Sequence, residues 1–525
     1  MISPARANIR QTAKPSKDRP PPLKTKMFPA PRRGLQLAEN IANQQPEGAL
    51  VLDNYVCTSK GIRPRGGTPK RYTLDSAVTS MWEFNTSGGV KKFAATETKI
   101  YDLTSVADPD AVPTALVSGQ TGGYYCTAHM ATVAGEYLIA VNGADDAILF
   151  DTSGYATSTI AGVATDKLSH VWTYANRWFF VERGTMDAWY LAVDSITGTA
   201  LKFSLAGVFQ RGGSLVYGAR WSMDAGDGLS AKCVFVSSAG EVAVFDGTDP
   251  ASASAWSLSG LYYVGQPIGL RAHVQAGGDL LMGVDAGIVP ITQAIAKDRA
   301  VLALAAVTAP IEPLWREEVS KRQAEKLEIL NWAAQGLIIV SLPGQGALVA
   351  NAQTGAWSTF TGLDVQCMAR WGTRAYFGTS DGHVREFESG GSDLGLPYVC
   401  QWSGVFDHLG SVGVTKTVTM ARPSLLSAVN VAPKVSFAAD YVTEFPAAPP
   451  SAADQTILGE WDVAEWDVGV WDTTGVSAYR ASWAGVGKTG AAFAPQLQMT
   501  FGVTPLPRIE VVAIEAAYID GQPLN

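Results

Sequence analysis

The sequence predicts an all-β protein, and within that class it favours a β-propeller followed by a second β domain. Its 525 residues include 53 glycines and 10% aromatic side chains, whereas only 17% of the residues are charged. This composition is typical of chains with many short strands and tight turns. Short apolar runs broken by Gly, Asn and Asp recur along most of the chain, with Trp, Tyr and Phe inside them. Repetition at this scale is the sequence signature of propeller blades.

The repeat is clearest between Trp332 and Glu388, where two copies follow one another. The first copy has three apolar runs, the last of which begins at Trp357. The second copy begins near Gln366 and has the pair Asp381-Gly382 between two runs. This pair predicts a tight hairpin, because such turns need the positive φ angles that glycine adopts easily.

Five more units precede these two copies, so the sequence predicts six or seven blades between residues 76 and 389. Their opening strands begin at Trp82, Cys126, His170, Tyr217 and Ile268. The repeat length is uneven, which leaves both blade counts open.

Several units end in an aspartate, which at a strand end usually caps the next turn. We therefore expect Asp102, Asp151 and Asp246 to be turn residues and not catalytic acids. The alternative is a cation such as Ca²⁺, although the spacing of the carboxylates fits no known ligand loop. The residues that would gather around it are Asp224, Asp227, Asp246 and Asp249.

Residues near 292–331 break the β pattern. The stretch 300–307 is wholly apolar, and the stretch 313–330 has a proline at its start and dense Glu/Lys pairs. Together they predict a helical insert, or a helix followed by a strand. The insert is either a surface feature of the propeller rim or a contact with a neighbouring subunit.

After residue 389 the repeat stops, and residues 390–525 predict a second β domain, a sandwich or barrel-like platform. Its start, residues 390–397, has the composition of a linker. Trp461, Trp466 and Trp471 recur every five residues, which fits neither a helix nor a strand. We expect looped turns that each bury an indole, and an exposed set that stacks on a sugar or a nucleobase is the alternative.

The first 34 residues are a proline-rich, basic arm that the sequence predicts to be disordered in a free monomer. In an assembly we expect the arm to contact an adaptor protein or a neighbouring subunit. Its cations are Arg6, Arg10, Lys14, Lys17, Arg19, Lys24, Lys26, Arg32 and Arg33. Because the whole chain carries a formal charge of −8, the body after the arm is clearly acidic. An acidic body argues against general DNA binding.

Residues 35–75 form an N-terminal β segment in which two short strands lead into an arginine-rich Gly-Gly loop. By their chemistry Arg63, Arg65, Lys70 and Arg71 suit a phosphate group. The alternative is a turn or an interface held by pairs of arginine with carboxylates or carbonyl oxygens.

Motifs for catalysis, cofactors or metals are missing from the sequence. The five cysteines are scattered without zinc-ligand spacing, so we expect buried free thiols. The five histidines belong to no recognisable motif, and phosphate loops, nucleophile elbows and zinc-binding His-Glu-x-x-His motifs are absent. We predict no enzyme activity, no cofactor and no metal site. The sequence also has no run of membrane-spanning length, and its basic start lacks the apolar core of a signal peptide.

Several stretches carry a resemblance to a known family. Residues 49–67 read Ala-Leu-x-x-x-Asn-Tyr-x-x-x-x-x-Gly-Ile-Arg-x-Arg-Gly-Gly, residues 351–360 read Asn-x-x-Thr-Gly-Ala-Trp-Ser-x-Phe, and residues 406–410 read Phe-Asp-His-Leu-Gly. Residues 376–384, residues 416–423 and the repeated C-terminal tryptophans agree with them. The chain thereby resembles the tail hub or nozzle proteins of short-tailed bacteriophages and prophages, sometimes called packaged-DNA stabilisation proteins.

The resemblance implies a structural protein of the virion tail. Copies would form a closed ring, a hexamer, below the head-to-tail adaptor and near tail fibre or needle proteins, after assembly in the cytoplasm of the bacterial host. The ring would retain the packaged DNA and provide the channel for its ejection. An acidic wall would repel phosphate, so that double-stranded DNA slides without sequence-specific binding.

Two other functions remain open at this point. A receptor- or carbohydrate-binding tail component would bind glycans as an isolated protein, and would lose that binding on Trp466→Ala. An unrelated propeller hydrolase would show carboxylates or histidines gathered at the central mouth of the propeller.

Overall fold

The computed structural model describes residues 22–42, 44–224, 229–297, 299–322, 327–427, 431, 433–450, 477–502 and 506–523. These residues form a β-propeller and a β-sandwich, so the predicted all-β class with a second β domain is confirmed. Five strands precede the first blade: β1 (Lys24–Pro29), β2 (Ala49–Asp53), β3 (Tyr55–Cys57), β4 (Ile62–Pro64) and β5 (Lys70–Thr73).

Seven sheets form the propeller within the described residues, and their order in the ring follows the chain. Blade 1 contains β6 (Ser80–Thr86), β7 (Gly89–Ala95), β8 (Lys99–Asp102) and β9 (Val117–Ser118). Blade 2 contains β10 (Cys126–Thr132), β11 (Gly135–Val141), β12 (Ile148–Phe150) and β13 (Tyr155–Thr157). The strands β14 (Ile160–Ala161) and β18 (Gly198–Thr199) pair in parallel beside blade 3. Blade 3 contains β15 (Leu168–Tyr174), β16 (Arg177–Glu182), β17 (Asp187–Tyr190) and β19 (Leu201–Ser204).

Blades 4 to 7 complete the ring. Blade 4 contains β20 (Leu215–Asp224), β21 (Leu229–Ser237), β22 (Glu241–Gly247) and β23 (Trp256–Tyr263). Blade 5 contains β24 (His273–Ala276), β25 (Asp279–Val284) and β26 (Gly287–Pro290). Blade 6 contains β27 (Ile329–Trp332), β28 (Leu337–Leu342), β29 (Gly346–Asn351) and β30 (Trp357–Thr361). Blade 7 contains β31 (Cys367–Trp371), β32 (Arg374–Gly378) and β33 (His383–Glu386), with β5 as its outer strand.

The ring is closed by a strand that comes from before the first blade. β5 runs antiparallel to β33, with Thr73 opposite His383 and Tyr72 opposite Val384. The inner strand of blade 7 packs against the inner strand of blade 1. Blade 7 therefore joins the two ends of the propeller segment through backbone hydrogen bonds.

Large aromatic side chains fill the space between neighbouring blades. The ring centroids of Phe93 in blade 1 and Phe150 in blade 2 are 4.9 Å apart. Trp172 of blade 3 meets Phe235 of blade 4 edge to face, with centroids 5.5 Å apart. Burying one such side chain contributes roughly 1.5–3 kcal/mol, and an aromatic pair adds about 0.5–1.5 kcal/mol. The five cysteines are also buried, and all are free, as the sequence predicts.

The predicted helical insert lies between blades 5 and 6. It contains α1 (Ile291–Ala296), α2 (Arg299–Ala305), a 3-10 turn (Ala309–Ile311) and α3 (Glu312–Lys321); a second 3-10 turn (Thr165–Lys167) precedes blade 3. Pro313 stands in the first turn of α3, where a missing N–H costs nothing. The indole of Trp315 is buried and donates to the carbonyl of Val284, 3.1 Å away, which fixes the helix on blade 5. Among the described helices, none has the length and apolar character needed to cross a membrane.

The second domain packs two sheets against each other. Its strands after the propeller are β34 (Tyr398–Gly404), β35 (Val414–Ser427), β36 (Lys434–Ala439), β37 (Ser477–Arg480), β38 (Ala484–Gly490), β39 (Phe493–Phe501) and β40 (Ile509–Pro523). One sheet holds β1, β3, β4, β35, β37, β38 and β40, and the other holds β2, β34, β36 and β39. Tyr55, Trp402 and Ile514 are buried in the core cluster that the two sheets share.

One sheet passes from the propeller into the sandwich without interruption. Its eight strands stand in the order β27, β28, β29, β30, β2, β34, β39 and β36. β2 lies between the domains: it is parallel to β30 at Asp53 and Thr359, and antiparallel to β34. Blade 6 and one layer of the sandwich are therefore a single hydrogen-bonded body.

The basic arm ends earlier than the sequence predicts. Lys24–Pro29 is a strand of the sandwich, paired antiparallel with β40. Phe28 is buried there, and its ring lies 5.6 Å from that of Phe437. The prediction fails because a single buried ring and an edge-strand proline give no period that a sequence pattern detects. Residues 1–21 lie outside the described residues.

Candidate functional site

The joint between propeller and sandwich is built by the segment 54–68, which overlaps the first stretch of the family resemblance, residues 49–67. Asn54 is its corner: the chain leaves the eight-stranded sheet after β2 and enters the other sheet at β3. Asn54 has a φ of 60°, a left-handed conformation that asparagine tolerates better than most residues. Its side-chain amide donates to Thr361 Oγ1 of blade 6 at 3.0 Å and to the carbonyl of Val399 in the sandwich at 2.8 Å. This one side chain therefore bonds both domains.

Arg65 is the buried ion of the joint. Its side chain is fully buried, and its guanidinium makes two hydrogen bonds to Asp393, at 2.5 and 3.0 Å. The Nε–H donates to Asn54 Oδ1 at 2.8 Å, and the guanidinium carbon lies 4.0 Å from the ring centre of Tyr398. Burial alone would lower the pKa of Arg65, but the hydrogen bond and the charge of Asp393 hold it above its ordinary value. A bidentate pair with a stacked ring is a geometry that arginine makes and lysine does not.

Two glycines let the chain segments of the joint approach backbone to backbone. A Cβ on Gly66 would lie 2.6 Å from the main chain of Glu388, and a Cβ on Gly67 would lie 2.3 Å from the carbonyl oxygen of Ser392. Gly67 donates to the carbonyl of Gly390 at 2.9 Å. Main-chain hydrogen bonds thus hold the predicted linker after residue 389 against the Gly-Gly loop.

The other cations of the loop also have carboxylate partners. Arg63 bonds Glu388 at 2.6 Å, Arg71 bonds Glu386 at 2.7 Å, and Lys70 pairs with Asp110. The loop therefore contains arginine–carboxylate pairs at a turn, which was the alternative to a phosphate site. A phosphate site at these four residues is not supported, because each of the four cations already pairs with a carboxylate of the chain.

The arm and the tryptophan repeat fall mostly outside the described residues. Arg6, Arg10, Lys14, Lys17 and Arg19 of the arm and Trp461, Trp466 and Trp471 of the C-terminal domain are not described. Three of the four described cations of the arm have carboxylate partners within the chain, whereas Nη1 of Arg33 is buried without a hydrogen-bond partner. Lys24 bonds Asp520 at 2.5 Å, Lys26 bonds Asp407 at 2.9 Å, Arg32 pairs with Glu47, and the main-chain N–H of Arg33 donates to the carbonyl of Glu47 at 3.0 Å.

Two of the three aspartates expected to be turn residues, Asp102 and Asp151, act as such; the expectation for Asp246 is wrong, because β22 continues through it to Gly247. Asp102 accepts a hydrogen bond from the N–H of Thr104, and Asp151 accepts from the N–H groups of Ser153 and Gly154. Asp246 pairs with Lys232, and Asp249 pairs with Arg177, so each has a cationic partner of its own. In the part of the chain that the structure describes, no group of three or more His, Cys, Asp or Glu side chains suits a metal ion.

The axis of the propeller holds a second candidate site, a cavity of about 730 Å³ lined by the inner strands of the blades. Each of the seven blades contributes one polar residue to its mouth: Glu83, His129, Thr173, Arg220, Gln275, Asn331 and Arg370. Several of these residues bond the next blade. Thr173 donates to the carbonyl of His129 at 2.7 Å, and Asn331 donates to the carbonyl of Gln275 at 2.9 Å.

The inner end of this cavity carries a buried ion pair that crosses the ring. Arg271, before blade 5, pairs with Glu328, before blade 6, and donates to Ser80 Oγ of blade 1 at 2.5 Å. Glu328 also accepts from the N–H of Met368 in blade 7 at 2.8 Å. Burial opposes the charged form of Arg271, yet Glu328 keeps the pKa of the guanidinium above its ordinary value. The pair therefore ties four blades together across the axis.

Two histidines line the cavity above this ion pair. The ring centroids of His170 and His273 are 5.5 Å apart, and His273 stacks on Tyr217 with centroids 4.2 Å apart. Burial lowers the pKa of His273 to about 4 and that of His170 well below its ordinary value, so both are neutral at pH 7. The carboxylates of the cavity are engaged, Glu328 by Arg271 and Glu83 by the N–H of Gly372 at 2.8 Å. Three histidines, His129, His170 and His273, and two carboxylates, Glu83 and Glu328, thus gather at the axis, which is the arrangement expected of a propeller hydrolase, and His129 lies beside Glu83.

Sequence patterns do not reveal this cavity. Arg271 and Glu328 are 57 residues apart in the chain, and each stands beside apolar residues at the start of a strand. A charged residue in that position, where burial would otherwise be costly, is the one signal that suggests a buried partner.

Comparisons with known proteins bear on the fold alone. No protein family model matches this chain, and no curated protein is similar to it in sequence. A solved structure described as "Crystal structure of WD40 beta propeller domain of Doa1" is similar over 61% of this chain and 97% of that chain. The two share 11% sequence identity, and the TM-score is 0.38.

Proposed function

We propose that this protein is a structural subunit of the tail of a short-tailed bacteriophage, where a ring of copies forms the hub or nozzle. One observation supports this more than any other: the stretch with the most specific family resemblance, residues 49–67, is the stretch that holds the joint. Asn54, Arg65, Gly66 and Gly67 bond or closely approach residues of both domains or of the segment between them. A resemblance in such residues is a resemblance in architecture and not in a catalytic site.

A rigid two-domain subunit suits the proposed task. The subunits of a ring that holds pressurised DNA must not bend between their two domains. The continuous eight-stranded sheet and the buried Arg65–Asp393 pair oppose such bending. A closed ring also needs interfaces that complete a rotation. The propeller and the sandwich each present broad faces on which neighbouring copies would dock.

The charge of the chain supports a conduit for DNA and not a DNA-binding surface. The chain carries −8 although its first 34 residues are strongly basic. An acidic wall repels phosphate and lets a duplex slide. The axis of each propeller is crossed by Arg271 and Glu328, so the duplex would pass along the axis of the ring, between subunits and not through a propeller.

Assembly with the adaptor tests this proposal. We expect the purified chain to form closed rings, six copies each, in negative-stain images when the head-to-tail adaptor is present, and we expect the protein in purified virions by mass spectrometry. Gly67→Ala, which disturbs the joint, should reduce the yield of rings. Gly207→Ala, where a Cβ meets no atom within 4 Å, should not. A chain that stays monomeric beside the adaptor and is absent from virions contradicts the proposal.

A further inference from the structure

The axial cavity of the propeller contains polar atoms that the protein itself leaves unpaired. The buried side-chain atoms without a hydrogen-bond partner in the described residues include the Nε–H of Arg271 and the Nδ1 of His273. Both residues line the cavity. An unpaired buried donor costs about 1–3 kcal/mol, and most buried polar atoms in native proteins have a partner. At this cavity an ordered water or a ligand would supply the missing partners.

The ionic groups of the cavity have an excess of positive charge. Three arginines line it, Arg220, Arg271 and Arg370, against two carboxylates, Glu83 and Glu328. Arg271 is paired with Glu328, and Arg370 lies 3.7 Å from Glu83. Arg220 is exposed at the mouth, and no described carboxylate lies within ion-pair distance of it. A basic cavity in an acidic chain is not explained by the overall composition.

The size and closure of the cavity suit a small molecule. Its volume of about 730 Å³ falls within the range of roughly 300–1,000 Å³ that is usual for ligand sites. The mouth is open, whereas the inner end carries the Arg271–Glu328 pair. Apolar side chains such as Val171 and Ile329 supply the rest of the wall. A ligand would therefore present an anionic group to the arginines and less polar atoms to the wall.

We propose that this cavity binds a small organic anion, a molecule of about monosaccharide to disaccharide size with a carboxylate or a phosphate group. Arg220 supplies the charge that attracts the ligand. The free Nε–H of Arg271 donates a hydrogen bond to its anionic group, and the free nitrogen of His273 accepts one from a ligand hydroxyl group. The ring of neutral His273 donates its one proton to the backbone of Leu270, so its unpaired nitrogen is a hydrogen-bond acceptor. The site involves no residue of the joint, so the proposal stands independently of the proposed role in a phage tail.

Calorimetric titration of the full chain tests the site with three probes. Glucuronate carries a carboxylate, glucose 6-phosphate carries a phosphate, and glucose carries neither. We expect at least one of the two anions to bind with a Kd of roughly 1 mM or tighter, and we expect glucose to bind at least about tenfold more weakly, because it lacks the charge-assisted hydrogen bonds. Binding of glucose as tight as that of the anions, or no binding of any probe, overturns the proposal.

Two variants locate the binding, with a matched control. Arg220→Gln removes the unpaired charge at the mouth, and should weaken anion binding about tenfold or more. His273→Phe keeps an aromatic ring against Tyr217 but removes the free nitrogen, and should also weaken binding. Arg316→Gln makes the same charge change on exposed helix α3, away from the cavity, and should leave the affinity unchanged. Equal affinity in Arg220→Gln and Arg316→Gln would place the anion elsewhere and contradict the assignment.

Discussion

At the scale of single residues, two buried ion pairs connect segments that are distant in the sequence. Arg65 and Asp393 join the strands before and after the propeller, and they are 328 residues apart in sequence. Arg271 and Glu328 tie the blades across the axis. Pairs of this kind are costly to break, because removal of one partner leaves a buried charge without compensation.

Replacement of Arg65 should therefore destabilise the protein strongly. We expect Arg65→Met to lower the free energy of unfolding by about 3–5 kcal/mol, measured by urea denaturation, because Asp393 would lose its bidentate partner and keep only Arg385, 3.8 Å away, as a cation. Arg32→Met removes an exposed pair with Glu47 and should cost about 0–1 kcal/mol. Similar losses in the two variants would show that Arg65 is not the central ion of the joint.

The neutral histidines of the cavity should make the protein sensitive to acid. The pKa of His273 is near 4 in the folded chain and 6.5 when unperturbed. Between these values the unfolded chain binds a proton that the folded chain does not, so stability falls as the pH falls. At pH 5 this group alone should cost roughly 2 kcal/mol relative to neutral pH.

Comparison of the wild type with His273→Phe isolates this effect. Both proteins keep His170 and all carboxylates, so the difference between them is the contribution of His273 and its charge effect on His170, both of which make the wild type more sensitive to acid. We expect the urea midpoint of His273→Phe to fall less between pH 7 and pH 5 than that of the wild type. An equal fall in the two proteins would contradict a depressed pKa at this residue.

At the scale of elements, the blades could be predicted from the sequence, whereas the joint could not. Blades 1 to 6 are meanders whose strands pair in chain order, so turn signals and apolar runs are sufficient to predict them, whereas the outer strand of blade 7 comes from β5. The pairing of β2 with β30 and β34 is not local, and no turn connects these strands. For the same reason the partners of Arg63 and Arg65 could only be described by type, as carboxylates or carbonyls.

The close approach at the Gly-Gly loop gives a prediction for one substitution. Gly67→Ala places a Cβ 2.3 Å from the carbonyl oxygen of Ser392. The loop and residues 389–392 must therefore move apart and lose main-chain hydrogen bonds between them. We expect a clear fall of the melting temperature in a thermal scan. Gly207→Ala, in open space, should change the free energy of unfolding by no more than about 0.5 kcal/mol. A melting temperature of Gly67→Ala equal to that of Gly207→Ala would refute the close approach.

At the scale of the whole molecule, the shared eight-stranded sheet makes the propeller and the sandwich one mechanical unit. Strand β2 pairs with β30 of the propeller on one side and with β34 of the sandwich on the other, so unfolding of either domain breaks part of its hydrogen bonding. The sequence showed a change of repeat near residue 389 and therefore suggested two domains with a linker. It did not show that the N-terminal segment is inserted between them, because that pairing depends on the tertiary fold alone.

The shared sheet predicts a single unfolding transition. In differential scanning calorimetry we expect one peak whose calorimetric enthalpy equals the van't Hoff enthalpy, as for a two-state unit. Two separated peaks, one for each domain, would show that the sheet does not couple them.

The closure of blade 7 has a consequence for the order in which the chain acquires its structure during synthesis. Strand β5 leaves the ribosome early, but its partner β33 follows only after blades 1 to 6 have been made. Arg71 of β5 and Glu386 of β33, which bond each other, are 315 residues apart. Pairing over so long a stretch is slow, and an unpaired strand edge invites association with other chains. In the nascent protein β5 therefore has no partner strand until translation has passed residue 386. We expect misassembly to begin at this stage, when unfinished chains are close to one another.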